Sequence, residues 1–348
     1  MCARMKSIRG FLIMKVYVTN LNGHASASVA MIAQNNVLKF LQCFNASELG
    51  IYFYDSSNEP WNELSARLDG IIAGIHPGDI VIFQSPSWNT TEWDVAFMDR
   101  LKLYGAKVIV FIHDVLPLQF ELNHYLIDKF LYIYNNVDVL IVPSQRMYDK
   151  LVEKGLTNKN YVIQGLWDIP CDFDLYDPTF EKKLLFTGDP SRFPHIANWK
   201  YSTPIHVYST EKNENTENVI YEGWRNKDEI ILECSKGGFG LVWGNSENPE
   251  DERDYYKMNC SYKLSTYLCA GIPVVVPSYL SNADFIEKHG LGYVVHSLEE
   301  ANKVVEECSE EKYNELVSNI RRVAPFIRDG YFTKKAIADA IVKLIEIY

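Results

Sequence analysis

The sequence predicts an α/β protein of two doubly wound domains, each a parallel sheet with helices on both faces. Three observations predict it. The chain has 348 residues, enough for about two domains. Its apolar runs are continuous rather than alternating, as expected of parallel strands buried on both faces. The alternation of strand and helix breaks once, over residues 165–180, and then resumes.

The elements follow in order. The run MKVYVTN predicts a first strand over 15–19, and Asn20-Leu-Asn-Gly23 predicts the turn after it. A helix is expected over 25–41, a strand over 50–54 and a helix over 61–73. DIVIFQ predicts a third strand over 79–84, followed by a helix over 91–103. KVIVFIH predicts a fourth strand over 107–113, and VDVLIV a fifth over 137–142, with a helix over 144–153. Residues 165–180 hold two prolines, one glycine and four aspartates with weak periodicity, and read as an interdomain linker. Strands are then expected over 183–186, 205–208, 239–243 and 272–276. Helices are expected over 226–235, 261–270, 300–320 and 333–347. The polar, acidic stretch 245–254 reads as a mobile loop.

This gives an N-terminal domain over 14–164, the linker, a C-terminal domain over 181–330 and a terminal helix over 331–348. That helix is expected to pack back on the N-terminal domain or to form a subunit contact, since Ile, Ala and Leu recur at helical spacing. Residues 1–13 read as an extension ahead of the ordered protein, which is expected to begin at Met14.

Composition narrows the function. The net charge of −11 leaves no basic stripe for nucleic acid. No apolar run approaches the roughly 20 residues that span a bilayer. Seven cysteines, an odd number without a CxxC pair, argue against a disulfide framework or a zinc site, so a cytoplasmic location is expected. The sequons at Asn45, Asn89 and Asn259 would then carry no meaning. No G-x-G-x-x-G follows the first strand, which excludes a dinucleotide-dependent dehydrogenase.

Two facing sheets of this kind bind ligands outside the carboxyl ends of their strands. The function should therefore lie in loops such as 20–23, 113–116, 188–193 and 259–263. The sharpest segment is Ser261-Tyr-Lys-Leu-Ser-Thr-Tyr-Leu-Cys-Ala-Gly-Ile-Pro-Val-Val-Val276, a helix, a Gly-x-Pro turn and a buried strand. A helix N-terminus is an anion site. Lys263 in its first turn opposes the dipole unless an anion lies nearby. Asp172-Phe-Asp174 resembles a metal-binding Asp-x-Asp but falls in the linker, so it reads as solvated, as does Glu250-Asp-Glu-Arg-Asp254. No metal site is expected.

The run K-x-x-x-Y-L-x-A-G-I-P-V-V, with the upstream strand Gly237-Gly-Phe-Gly-Leu-Val-Trp243, resembles the donor motif of two-domain GT-B glycosyltransferases. MKVYVTNLNG, RLDGIIAGIHPGDIVIFQSPSWNTTEWD, VIVFIHDVLPL and CSYKLSTYLCAGIPVVV narrow the resemblance over nearly the whole chain from Met14. They are similar to the glucosyltransferases that extend O-linked GlcNAc on serine-rich-repeat adhesins of Gram-positive bacteria. The resemblance implies a UDP-glucose donor, a GlcNAc-modified Ser/Thr-rich acceptor, no cofactor and a homo-oligomer, a dimer or tetramer. The alternatives are another UDP-hexose transferase of polysaccharide synthesis, handling GlcNAc or galactofuranose, or a non-catalytic partner subunit.

Carried over residue by residue, the resemblance implies donor binding by Arg192 of the loop Gly188-Asp-Pro-Ser-Arg-Phe193. An arginine fork suits a diphosphate. Ser261, Tyr262 and Lys263 match the phosphate segment, with backbone amides through Leu264, Ser265 and Thr266 sharing the work. Trp224 stands where the family has tyrosine and could stack on uracil. Thr266 stands where many relatives carry glutamate. Asn22 and Gly23 are expected to meet the donor from the N-terminal domain, and Val29 replaces a hydroxyl there. His113 and Asp114 close the fourth strand and are the catalytic candidates, Asp114 orienting an acceptor hydroxyl or acting as base. Gln84 and Trp88 are the acceptor candidates.

Overall fold

The computed structural model describes residues 14–25, 28–211, 214–244 and 255–347. The expected extension over 1–13 and the acidic loop over 245–254 lie outside them. In the N-terminal half the strands are β1 (Val16–Asn22), β2 (Ser47–Tyr52), β3 (Ile80–Ser85), β4 (Lys107–Ile112), β5 (Val139–Val142) and β6 (Tyr161–Ile163). The helices between them are α1 (Val29–Leu41), α2 (Trp61–Ile72), α3 (Thr91–Leu103), α4 (Leu116–Gln119), α5 (Ile127–Asn135) and α6 (Gln145–Glu153). The C-terminal half has β7 (Thr179–Thr187), β8 (Ile205–Tyr208), β9 (Val219–Tyr221), β10 (Gly237–Leu241), β11 (Val274–Pro277) and β12 (Gly292–Val295). Its helices are α7 (Pro194–Ala197), α8 (Lys227–Cys234), α9 (Tyr262–Ala270), α10 (Ala283–His289), α11 (Leu298–Glu307), α12 (Glu310–Arg328) and α13 (Tyr331–Ile347).

Among the described residues the strands form two six-stranded parallel sheets, in the orders β2-β1-β3-β4-β5-β6 and β12-β11-β10-β7-β8-β9. β3 is buried along its whole length, which is why its first four residues, Ile80–Phe83, are all apolar. β1 runs on to Asn22 because Tyr17–Asn22 pair with Ser47–Tyr52. The expected turn therefore begins only at Gly23, whose φ of 78° suits glycine. α1 starts at Val29 rather than at residue 25, since the Ser28 hydroxyl accepts from the Met31 amide and caps it.

Each sheet has an apolar layer on both faces. One N-terminal layer gathers Phe83, Phe97, Val110 and Phe130. The other gathers Val18, Val37, Ile109 and Phe111 with Ala336, Ile337, Ala340 and Leu344 of α13. The terminal helix thus crosses back and completes the N-terminal domain. Its start is fixed by buried Asp168, whose carboxylate accepts from the Phe332 and Thr333 amides. The stretch 165–180 is accordingly less of a linker than its composition suggests. Leu166, Trp167 and Ile169 are core residues.

Candidate functional site

In each sheet the chain reverses its winding direction once, and ligands bind where it does so. In the N-terminal sheet this switch point lies between β1 and β3; in the C-terminal sheet it lies between β7 and β10. The loops expected to carry function fall around these two crevices.

After β7, Asp189 accepts from the Ser191 amide at 3.0 Å and starts the turn Pro190–Arg192. Arg192 is exposed. Neither it nor Lys263 is paired with a carboxylate among the described residues. The Lys263 ammonium donates to the Tyr256 hydroxyl at 2.8 Å and lies 4.2 Å from the ring centre of Phe193. It also lies over Phe186, at 5.2 Å. A Cβ on Gly188 would come within 3.2 Å of the Lys263 side chain. The lysine therefore passes directly beneath the loop that bears Arg192, although the two are far apart in sequence.

The N-terminus of α9 adds to this positive region. Ser28, Thr90, Ser144, Asn226 and Ser297 each cap a helix with their side chains, whereas Ser261 makes no such bond. The first-turn amides of α9 are not taken up by their own cap, and with Lys263 and Arg192 they form a region suited to a diphosphate. The amides do not extend as far as expected. In a helix with Ser261 as its N-cap, the amides without an intrahelical partner end at Leu264. Ser265 and Thr266 are buried, and the Thr266 hydroxyl donates to the Tyr262 carbonyl at 3.1 Å. The Tyr262 side chain also turns elsewhere: its hydroxyl accepts from Asn36 at 2.8 Å and ties α9 to α1. Trp224 is 44% exposed. With Asn226, Lys227 and Asp228 it faces Ile32, Asn35 and Asn36 across a cavity of about 390 Å³ between the domains.

On the N-terminal side, the Asn22 amide donates to Glu48 and to the Asn20 carbonyl, each at 3.2 Å, so its side chain is held along the strand edge. A Cβ on Gly23 would lie 2.5 Å from the Tyr52 ring, a second reason for glycine there. Val29 is 54% exposed at the start of α1 and presents only methyl groups.

Two expectations are corrected at the strand ends. Gln84 is fully buried and cannot touch an acceptor. Its side-chain amide donates to the Thr19 and Gln34 carbonyls, and its oxygen accepts from His113 Nε2 at 2.8 Å. That bond fixes the proton of His113 on Nε2. The ring is buried, packs on Trp167 at 4.7 Å, and burial pushes its pKa down to about 3. A neutral imidazole locked in one tautomer is unsuited to shuttling a proton. His113 instead braces the end of β4 next to Asp114.

Asp114 has the attributes of a base. It is half-buried, and burial pushes its carboxyl up to about 7 against the opposing pull of bonds from Tyr255 and Asn259 and the charge of Arg192. The Asn259 amide donates to Asp114 Oδ1 at 3.1 Å, while the Tyr255 hydroxyl accepts from the Val115 amide at 2.8 Å. Both holding residues come from the C-terminal half. Sequence reasoning missed them as partners because they lie more than a hundred positions away, although Asn259 stands in the expected functional loop 259–263 as well as in a sequon. Trp88 is half-buried, with φ of 66°, in a loop braced by Asp94 through Ser87. Asp172 is exposed and pairs with Lys39 at 3.5 Å, and among the described residues no group of three or more His, Cys, Asp or Glu is arranged to hold a metal.

The comparisons fit this geometry. Residues 15–166 match the N-terminal domain, and 184–340 the C-terminal domain, of the glucosyltransferase 3-like family. The chain is 50% identical over 333 residues to Glucosyltransferase 3 of Streptococcus gordonii, covering 95% of this chain and 100% of that one. It is 42% identical over 332 residues to Glucosyltransferase 3 of Streptococcus parasanguinis, covering 95% and 99%. In fold it is similar to Anabaena Alr3699/HepE, solved in complex with UDP and glucose, with a TM-score of 0.64 at 12% identity over 94% of this chain and 99% of that one. The full-length matches to both domains leave one assignment, and the chain belongs to the glucosyltransferase 3-like family of GT-B glycosyltransferases.

Proposed function

We propose that the protein transfers glucose from UDP-glucose to O-linked GlcNAc on a serine-rich-repeat adhesin in the cytoplasm. One observation carries the reading. A cationic crevice built by Arg192, Lys263 and the start of α9 faces a carboxyl, Asp114, held by residues of the opposite domain. In the proposed reaction the bond from glucose C1 to the β-phosphate oxygen breaks and UDP departs with the electron pair. Arg192, Lys263 and the α9 amides hold its charge. A bond forms from C1 to the acceptor hydroxyl oxygen, and the hydroxyl proton passes to the Asp114 carboxylate. Trp224 offers an open ring face to the base.

All the charges assigned to the diphosphate in this proposal are borne by protein groups, so transfer should persist in EDTA. Incubation with UDP-glucose, UDP-GlcNAc or UDP-galactose and a GlcNAc-bearing peptide, read by mass spectrometry, tests the reading. A hexose gain with UDP-glucose supports it; gain only with another donor, or with none, overturns it. We further propose a homo-oligomer. While one face of α13 is buried, Val342 and Ile345 on it are 55% and 58% exposed. A monomer by light scattering would contradict this.

A further inference from the structure

We propose that His24, Phe53 and Trp88 form the seat of the acceptor's pyranose ring, at the switch point of the N-terminal sheet. This rests on the reading above, in which the N-terminal domain receives a sugar acceptor. The three residues follow three adjacent strand ends: Phe53 after β2, His24 after β1 and Trp88 after β3. The crevice between β1 and β3 is where a doubly wound sheet binds its ligand. Asp114 lies one strand further along the same edge.

The rings form a continuous patch. His24 lies 4.6 Å from Phe53 at 52°, and 6.4 Å from Trp88 at 67°. Phe53 is 37% exposed and the neighbouring Tyr52 is 67% exposed, so the patch reaches solvent. Its polar atoms are unsatisfied. Among the described residues, His24 Nδ1 and Trp88 Nε1 are both buried without a hydrogen-bond partner. Leaving a buried polar group unpaired costs about 1–3 kcal/mol. The indole nitrogen of Trp243 is also unpartnered among the described residues, but that ring is fully buried.

Trp88 adds a third observation. A bulky residue in the left-handed region is strained by about 1–3 kcal/mol and persists only where its surroundings enforce it. Here they do. The Asn89 amide donates to Ser87 Oγ at 3.2 Å, the Tyr54 amide donates to Asn89 Oδ1 at 3.1 Å, and Ser87 is bonded to buried Asp94. A ligand that fits must offer an apolar face to aromatic rings and hydroxyls to ring nitrogens. A pyranose does both: its C–H face stacks and its equatorial hydroxyls bond.

The test uses the full chain and three variants, His24→Ala, Phe53→Ala and Trp88→Phe, each checked by thermal melting. Steady-state kinetics with UDP-glucose and a GlcNAc-bearing peptide should show acceptor KM raised by about threefold to tenfold in each, the loss of one ring or ring-nitrogen contact. The KM for UDP-glucose should stay within about twofold. An unchanged acceptor KM in all three, or a rise in donor KM instead, overturns the proposal. If the wild-type protein transfers to no GlcNAc peptide, the reading above fails by itself. The seat is then judged by tryptophan fluorescence alone, titrating simple pyranosides in the absence of donor. Saturable quenching that is lost in Trp88→Phe upholds it, and no quenching by any pyranoside rejects it.

Discussion

The two switch-point crevices have the same backbone logic and opposite chemistry. On the C-terminal side, between β7 and β10, stand an arginine and a lysine without acidic partners among the described residues, and a helix end that its own serine leaves uncapped. On the N-terminal side, between β1 and β3 and on to β4, stand aromatic rings and a carboxyl. The corresponding helix end, at α1, is capped by Ser28 and begins with exposed Val29. Parallel strands with helices on both faces supply the crevice, and the loops decide its charge. A carboxyl repels a diphosphate and a capped helix offers it fewer free amides; a bare helix end and two cations attract one. In the proposed reaction the leaving group and the acceptor therefore occupy opposite walls.

The largest expected break in that comparison comes from Asp114. Asp114→Asn keeps the bonding shape but removes the base, and kcat should fall by about 10²–10⁴-fold while UDP affinity stays within about twofold. A kcat near wild type in a direct transfer assay would remove Asp114 from the chemistry.

The next effect is on stability. Asp168→Ala leaves the Phe332 and Thr333 amides unpaired at the start of α13, the helix that closes the N-terminal layer. A loss of about 1–2 kcal/mol and a Tm lower by several degrees are expected. An unchanged Tm would mean that α13 does not depend on this cap.

Two buried carboxyls also set a pH trend. Burial pushes both Asp94 and Asp168 up to about 7, against about 3.9 in an unfolded chain. Between those values the folded protein holds protons that the unfolded chain has released. The stabilisation is therefore complete below pH ~4 and is lost as pH rises towards 7. Thermal melts should show this contribution as a decline from pH 5 to pH 8 that shrinks in Asp94→Asn. A decline that is the same in the variant would dismiss it.

A smaller effect sharpens the link between the two walls. The Asn259 bond pulls the Asp114 pKa down against burial. The rate should rise with pH as Asp114 ionises near 7, and Asn259→Ala should move that rise to higher pH. A profile that stays in place, or shifts to lower pH, would show that Asn259 does not act through Asp114.

How much of this was legible in the sequence depends on how local each signal was. The strand over 80–85 was readable because burial on both faces makes Ile80–Phe83 an unbroken apolar run, and α3 because Thr90 caps it. β6, β9 and β12 have strand-like residues, YVI, VIY and GYVV, but at three or four residues they are too short to show a period. Lys263 could be suspected because a cation at a helix start needs a reason. Gln84 misled because a polar residue at a strand end suggests a ligand, and only the folded chain shows Thr19, Gln34 and His113 consuming its amide. Asn259 lay in an expected functional loop and Tyr255 did not, but the pairing of either with Asp114 left no sequence signal, since that partner belongs to the other domain.

Calorimetric titration with UDP in EDTA tests the division between the two walls most directly, using the wild-type protein, Asp114→Asn and the double variant Arg192→Ala/Lys263→Ala. The account predicts binding of similar strength in the first two. In the double variant it predicts a loss of at least about tenfold, since bonds to charged groups contribute about 1.5–3 kcal/mol each. Unchanged UDP affinity in the double variant would contradict the assignment of the diphosphate to the C-terminal crevice.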